Sequence, residues 1–266
     1  MAKITTVNGF ALSITGIDFS SFLHALSYFN STSTVAAYYG AGNSDIFFGN
    51  HFVMDPQGLP ARGAVTTYEI AADNHVAATI GKIAVRMEKI VAAAKTASTA
   101  DDHHLVAHLL RGDDTISGAD RGDVLSGFAG DDTIRGGAGN DQLSGGAGDD
   151  VLHGGMGRDT LSGGSGADAF VFDTALTGAA DRITDFRTGV DTIELDHRVF
   201  GLRTGHFAAG QFHVGAAAAD HNDHIVYNAA TGALSYDADG AGGHAAVHFA
   251  TLAGHPHLVA ADFLVV

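Results

Sequence analysis

The chain is 266 residues long, with a formal net charge of −16, 36 glycines, three prolines and no cysteine. That length allows one or two domains, and the missing cysteine excludes disulfides and thiolate-bound metals. No apolar run reaches the roughly 18 residues of a transmembrane helix, and no Lys/Arg patch is present to displace the counterions of a nucleic acid.

Residues 1–110 read as a cap or solenoid extension with mixed elements. Thr-rich strands at Ile4–Val7, Leu12–Ile17 and Val65–Ile70 alternate with two helical patterns. In the first, Phe22, Leu23, Leu26 and Phe29 share a face behind Ser20 as N-cap; in the second, Ile83, Met87, Ile90, Val91 and Ala94 do so. The segment Asp45-Ile-Phe-Phe-Gly49 predicts a degenerate turn, and Asp55-Pro-Gln-Gly-Leu-Pro60 a tight connection. A cap is expected here because an uncovered sheet edge invites pairing with another chain.

From Gly112 to Val171 the sequence repeats every nine residues. Asp stands at 114, 123, 132, 141, 150, 159 and 168, and two residues later come Ile116, Leu125, Ile134, Leu143, Leu152, Leu161 and Phe170. Gly opens the repeats at 118, 127, 136, 145, 154 and 163. The form G-G-x-G-x-D-x-U-x is the pattern of a calcium-binding parallel β-roll. Glycine lets the half-repeat turn at positive φ, and the following x-U-x is a short strand with its central side chain inward. Strands stacked about 4.8 Å apart would set the aspartates in columns. Carboxylates about 5 Å apart repel by roughly 1 kcal/mol in water and by several times more at lower dielectric, so a column needs a cation. Calcium fits, because it takes six to eight oxygens from carboxylates and carbonyls, whereas magnesium demands a tighter octahedron. A Gly/Asp-rich disordered linker is the alternative, but a linker has no need of an apolar column.

These residues resemble the RTX (repeat-in-toxin) family of Gram-negative secreted proteins. The resemblance implies a right-handed roll with two nonapeptides per turn. Ile116, Ile134, Leu152 and Phe170 would then stack on one side, and Leu125, Leu143 and Leu161 on the other. It implies several bound calcium ions, held by the carboxylates of Asp114, Asp123, Asp132, Asp141, Asp150, Asp159 and Asp168. The carbonyls of Gly130, Gly137, Gly139, Gly146, Gly148, Gly155, Gly157, Gly164 and Gly166 would complete the sites. The first repeats depart from the pattern, with Arg121 at a fourth position and Ala119 and Phe128 at second positions. Calcium is least expected at that end.

Beyond the roll, Ile183, Phe186, Ile193 and Leu195, with Gly189 at a turn, predict paired short strands. This segment is similar to the C-terminal domain of serralysin-type metalloproteases. Asp181, Asp185 and Asp191 there read either as an added calcium site or as solvated strand-edge carboxylates. Residues Ile225 to Tyr236 predict a hairpin around Thr231-Gly232, followed by Asp237-Ala-Asp-Gly240. This last segment has the first half of an EF-hand-like loop without its distal Glu, and reads as a plain turn. The tail Asp262-Phe-Leu-Val-Val266 looks like the terminal signal of type I (ABC transporter) secretion, and the start of the chain lacks the h-region of a signal peptide.

No enzyme is expected. The H-E-x-x-H zinc helix of a serralysin-type protease is missing; the nearest segment, His104-Leu-Val-Ala-His108, has Leu where the base should stand. The cluster Asp101-Asp102-His103-His104 reads as a helix start with a solvated face. No G-x-S-x-G elbow occurs in a strand–turn–helix setting. Arg111-Gly-Asp113 and Arg121-Gly-Asp123 spell an adhesion tripeptide that the repeat itself nearly supplies.

The expected fold is therefore mainly all-β. It comprises a cap at 1–110 carrying short helices, a calcium-binding roll at 111–173 and a β-rich secretion domain at 174–266. The expected function is that of a secreted, extracellular calcium-binding protein with a structural or interaction role. Its partners would be a type I ABC transporter during export and, afterwards, a component of the cell surface or matrix. The alternative is an exoenzyme or toxin with its site in residues 1–110.

Overall fold

Repeating x-U-x segments separated by glycine turns can bury their apolar residues only by stacking on one another, and that requirement sets the architecture. The computed structural model describes residues 110–266 throughout and, before them, the strands within 3–6, 27–30, 34–40, 43–54, 60–72 and 75–86. It is a mainly all-β molecule built around a parallel β-roll. Strands β7 (Thr115–Ser117), β9 (Thr133–Ala138), β11 (Val151–Met156) and β13 (Ala169–Phe172) pair in parallel in one sheet. Strands β8 (Val124–Ala129), β10 (Gln142–Ala147) and β12 (Thr160–Ser165) do so in the other. The register places Ile116 beside Ile134, Leu152 and Phe170, and Leu125 beside Leu143 and Leu161. Successive turns are therefore two nonapeptides apart.

All seven of these side chains are buried in one continuous core. Burying a side chain of this size contributes about 1.5–3 kcal/mol, so the two apolar columns supply the roll's main cohesive term.

The stacking continues past the repeats. The alternation predicted paired strands, but β14 (Asp181–Ile183) and β15 (Thr192–Leu195) lie in different sheets. Instead β14 adds to β12 and β15 to β13, each in parallel, so the segment is one more turn of the roll. Strand β20 (Val247–Leu252) then adds to β14, and β21 (Phe263–Val265) to β15. The hairpin is present as antiparallel β18 (Ile225–Asn228) and β19 (Ala233–Tyr236), with Gly232 at φ 75° in its turn. Two short strands end the sheets here, β16 (Gly205–His206) beside β21 and β17 (Phe212–Val214) beside β18. The core becomes aromatic in this region: Phe200 meets Tyr236 and Phe249 edge-on, and Phe263 meets Phe207 and Phe212. A single-turn helix, α1 (His197–Phe200), starts at the Asp196 N-cap and ends at left-handed Gly201.

At the other end, β1 (Lys3–Thr6) adds in parallel to β7 and antiparallel to β6 (His75–Arg86). An antiparallel meander follows through β5 (Pro60–Ala72), β4 (Asn43–Met54), β3 (Thr34–Gly40) and β2 (Ser27–Asn30). Asp45–Gly49 lies inside strand β4 and is not a turn. Two positions assigned to helices belong to strands, Phe29 to β2 and Ile83 to β6; strand pairing overrides their local helical spacing. The remainder of both helical patterns and the strand at Leu12–Ile17 lie outside the described residues. Among the described residues no helix is long and apolar enough to cross a membrane.

Candidate metal centre

Each repeat aspartate directly precedes a strand, so stacked strands stack the aspartates along the two edges of the roll. On the first edge the Asp114 N–H donates to Asp132 Oδ1 (2.7 Å), Asp132 to Asp150 (2.9 Å) and Asp150 to Asp168 (3.1 Å). On the second edge Asp123 donates to Asp141 (2.8 Å) and Asp141 to Asp159 (2.8 Å). The carbonyl of each lower aspartate accepts from the residue after the upper one, as Asp132 O does from Val151 N–H at 2.8 Å. Every rung is thus stapled twice, and all seven carboxylates are no more than 3% exposed.

In Asp132, Asp141, Asp150 and Asp159 one oxygen makes the staple, which leaves the other. Oδ2 of Asp132, Asp141, Asp150 and Asp159 is buried with no hydrogen-bond partner. Burial pushes Asp132 and Asp141 up to about 7 and Asp150 up to about 6; the stapling N–H opposes the rise and the carboxylates one turn away reinforce it. Orphaned, buried anionic oxygens in a column are the donor set that a hard divalent cation satisfies. The residues present therefore fit calcium.

The glycines divide by role. Second- and fourth-position glycines, from Gly130 to Gly166, have φ between 97° and 138°, as the turn requires. First-position glycines have another reason. A Cβ on Gly127, Gly136, Gly145 or Gly154 would meet Oδ2 of the aspartate five residues later. These positions are kept empty to seat the orphaned oxygen, a purpose separate from positive φ. Phe128 takes φ 67° at a second position, and its ring packs on the core.

The two ends of the ladders differ from the middle. At the start, Asp123 Oδ2 accepts from Ala119 N–H at 2.9 Å, in a repeat where Ala119 replaces the second-position glycine. At the far end, the Arg187 guanidinium donates to the Gly166 carbonyl, to Asp191 Oδ1 (2.7 Å) and, at 3.4 Å, to Asp168 Oδ2. Gly166 and Asp168 are the carbonyl and carboxylate of the last repeat, expected as calcium ligands. The structure sets the Arg187 guanidinium against both, because the chain returns there one turn later. The Gly155 carbonyl is likewise taken by Thr174 Oγ1, at 2.8 Å.

Asp181, Asp185 and Asp191 do not converge on one site. Asp181 Oδ1 accepts from Asp159 N–H (2.9 Å) and continues the second edge. Asp191 Oδ1 accepts from Asp168 N–H (3.2 Å) and continues the first. Asp185 instead accepts from the N–H groups of Gly163 and Gly164, each at 3.0 Å. The spacing hides this continuation, since Asp181 and Asp191 fall 22 and 23 residues after their partners, where the repeats keep 18.

A second, exposed ladder runs beside the first edge. Asp113 accepts from Asp131 N–H, Asp131 from Asp149 N–H and Asp149 from Ala167 N–H. On the second edge the corresponding place holds Asn140, which accepts from Arg158 N–H. Asp123 of the second Arg-Gly-Asp is 1% exposed, so that tripeptide is not presented for adhesion. Among the described residues, the ladders included, no three His, Cys, Asp or Glu side chains converge on one point as a metal cluster. The Asp101–His108 cluster lies outside the described residues.

A model of the RTX calcium-binding nonapeptide repeat, in four copies, matches residues 110–143 and 136–170. Among solved structures, the chain is similar to the AlgE6R3 subunit of the mannuronan C5-epimerase of Azotobacter vinelandii. The two are 27% identical over 58% of this chain and 78% of that one, with a TM-score of 0.24. No curated protein matches the chain. The ladders between residues 110 and 170 are thus calcium-binding RTX repeats, with several repeat copies to hold ions.

Proposed function

We propose that this chain, whose residues 110–170 carry the calcium-binding repeats, is a non-enzymatic extracellular protein with a structural or interaction role. It is exported by a type I system and folded by calcium outside the cell. The observation that carries this reading is the row of buried, partnerless Oδ2 atoms on Asp132, Asp141, Asp150 and Asp159. In a compartment poor in calcium these oxygens oppose closure of the turns. Calcium, when bound, supplies the positive charge the ladders lack.

The carboxylates from Asp114 to Asp159 act as ligands together with the turn carbonyls of Gly130, Gly137, Gly139, Gly146, Gly148, Gly157 and Gly164. Extracellular sites of this kind bind at roughly 10⁻⁴–10⁻³ M. A site at 100 times its dissociation constant adds about 2.7 kcal/mol, so several sites decide folding.

The C-terminus supports the same order of events. Phe263 and Val265 are buried in β21, so a secretion signal in Asp262–Val266 is legible to an ABC transporter only before folding. The likeness of the segment after the roll to a serralysin-type tail domain points the same way. In this reading residues 1–110 cap the roll, 111–173 bind calcium and 174–266 serve export. A component of the cell surface or matrix is the partner afterwards.

Circular dichroism tests the central step. In EGTA residues 111–173 should be disordered, and millimolar calcium, but not equal magnesium, should produce β structure. Asp141→Asn with Asp159→Asn, adjacent rungs of one edge, should raise the calcium midpoint about tenfold, equivalent to roughly 1.4 kcal/mol. A roll fully folded in EGTA at neutral pH would overturn the mechanism.

A further inference from the structure

A second pair of orphaned carboxylate oxygens lies outside the roll, in the turn after β19. The backbone of Asp237 is tied to His224 in both directions: its N–H donates to the His224 carbonyl (2.8 Å), and its own carbonyl faces His224 Nδ1 (2.9 Å). Gly240, at φ 65°, lets the loop press on the preceding one, where a Cβ would strike the Asp220 carbonyl. The next N–H, of Ala241, donates to that same carbonyl at 2.8 Å. Asp239 Oδ2 accepts from the N–H groups of Gly243 (3.0 Å) and His244 (3.3 Å) and faces His244 Nδ1 (2.8 Å).

These bonds fix both carboxylates and leave one oxygen of each over. Oδ1 of Asp237 and Oδ1 of Asp239 are buried with no hydrogen-bond partner, and Asp237 as a whole is 6% exposed. Asp237 lines a cavity of about 460 Å³ together with Gly240, Gly242 and His244. A buried anionic oxygen without a partner costs about 1–3 kcal/mol or more, and the Asp237 and Asp239 carboxyl groups lie close enough to hydrogen-bond when one carries a proton, a place a cation can take. The same signature marks the rungs of the roll.

The donor chemistry selects the ion. Two carboxylates on a D-x-D-G turn, one of them lining a cavity with room for water, suit a cation that takes six to eight oxygens. Zinc would need a tetrahedron of nitrogen or sulfur ligands; the chain has no cysteine, and His244 Nδ1 is already engaged with Asp239 Oδ2. We propose that Asp237 and Asp239 bind one calcium ion, independent of the roll, which locks the 237–244 loop against the 219–224 loop.

Tyrosine-sensitised terbium luminescence of the full chain tests this. There is no tryptophan, and between residues 110 and 266 the tyrosines are Tyr227 and Tyr236, the latter adjoining Asp237. Terbium should give emission that calcium displaces and equal magnesium does not. Tyr236→Phe should lower that emission at least fivefold while the bound calcium per chain stays unchanged. Asp237→Asn with Asp239→Asn should abolish the Tyr236-dependent emission and bind one calcium fewer per chain, with the calcium-driven β signal of the roll retained. Emission undiminished in Tyr236→Phe, or a full calcium complement in the double variant, overturns the proposal. Should the double variant fail to fold, Tyr236→Phe decides alone, because it leaves both carboxylates in place.

Discussion

At the scale of single residues, the two oxygens of a repeat aspartate such as Asp132 or Asp150 do different things. One staples the turn below through its backbone N–H, and the other is left for a cation. Arg187 is a cation carried by the chain itself: the last rung, between Asp168 and Asp191, is neutralised by a guanidinium that also takes the Gly166 carbonyl. Those two aspartates hold Arg187 above its ordinary range, Asp191 first by its hydrogen bond. Arg187→Ala should therefore make the end of the roll dependent on added calcium. Charge-assisted hydrogen bonds contribute about 1.5–3 kcal/mol, which solvent screening of a 40% exposed guanidinium cuts to about 1 kcal/mol, so the calcium midpoint should rise by roughly fivefold. Arg187→Lys should recover part of the loss, since it keeps the charge without the planar fork. Circular dichroism across a calcium titration checks both variants; unchanged midpoints would show that the guanidinium has no part in the column.

At the scale of elements, a metal-free ladder is an acid-stabilised object. Burial raises Asp132, Asp141 and Asp181 to about 7 and Asp150 to about 6, whereas an unfolded aspartate titrates near 3.9. Between those values the folded, calcium-free roll holds more protons than the unfolded chain. Its stability is therefore greatest below about pH 4 and is lost as pH rises through about 7. In EGTA, lowering the pH from 8 to 5 should recover part of the β signal. In saturating calcium the sign reverses, because the ion requires the carboxylates ionised. Far-ultraviolet circular dichroism at both pH values, with and without calcium, reads this directly. A metal-free β signal that weakens on acidification would contradict the assignment of protons and calcium to the same oxygens.

At the scale of the whole molecule, one sheet runs from the C-terminal strand β21 through the roll to β1 and the meander beyond it. The tail is thus a structural strand in the folded protein, with Asp262 holding Gly189 N–H at 2.9 Å and Val259 N–H at 2.8 Å. Deleting about the last 60 residues should trap the protein in the producing cell, and deleting residues 1–100 should not; immunoblots of medium and cells distinguish the two. Secretion of the tail-less form would assign export to another route.

The sequence by itself determined the roll. Nine-residue spacing of Asp, Gly and U residues fixes the glycine turns and the inward face, because these depend on contacts that the periodicity sets locally; the two-edge stacking was implied by the family resemblance, and the strands extend beyond x-U-x into the glycines. It also determined calcium, through the repeated carboxylate. The tertiary structure alone decided which oxygens are left over, since that depends on partners 18 or more residues away. It joined Asp181 and Asp191 to the ladders although the insertions before them break the period. It placed Arg187 where the last cation would stand and buried Asp237, whose D-x-D-G segment reads locally as an ordinary turn. Local pattern fixes a repeat because every repeat sees the same neighbours. The irregular ends see different ones, and only the folded chain brings those neighbours together.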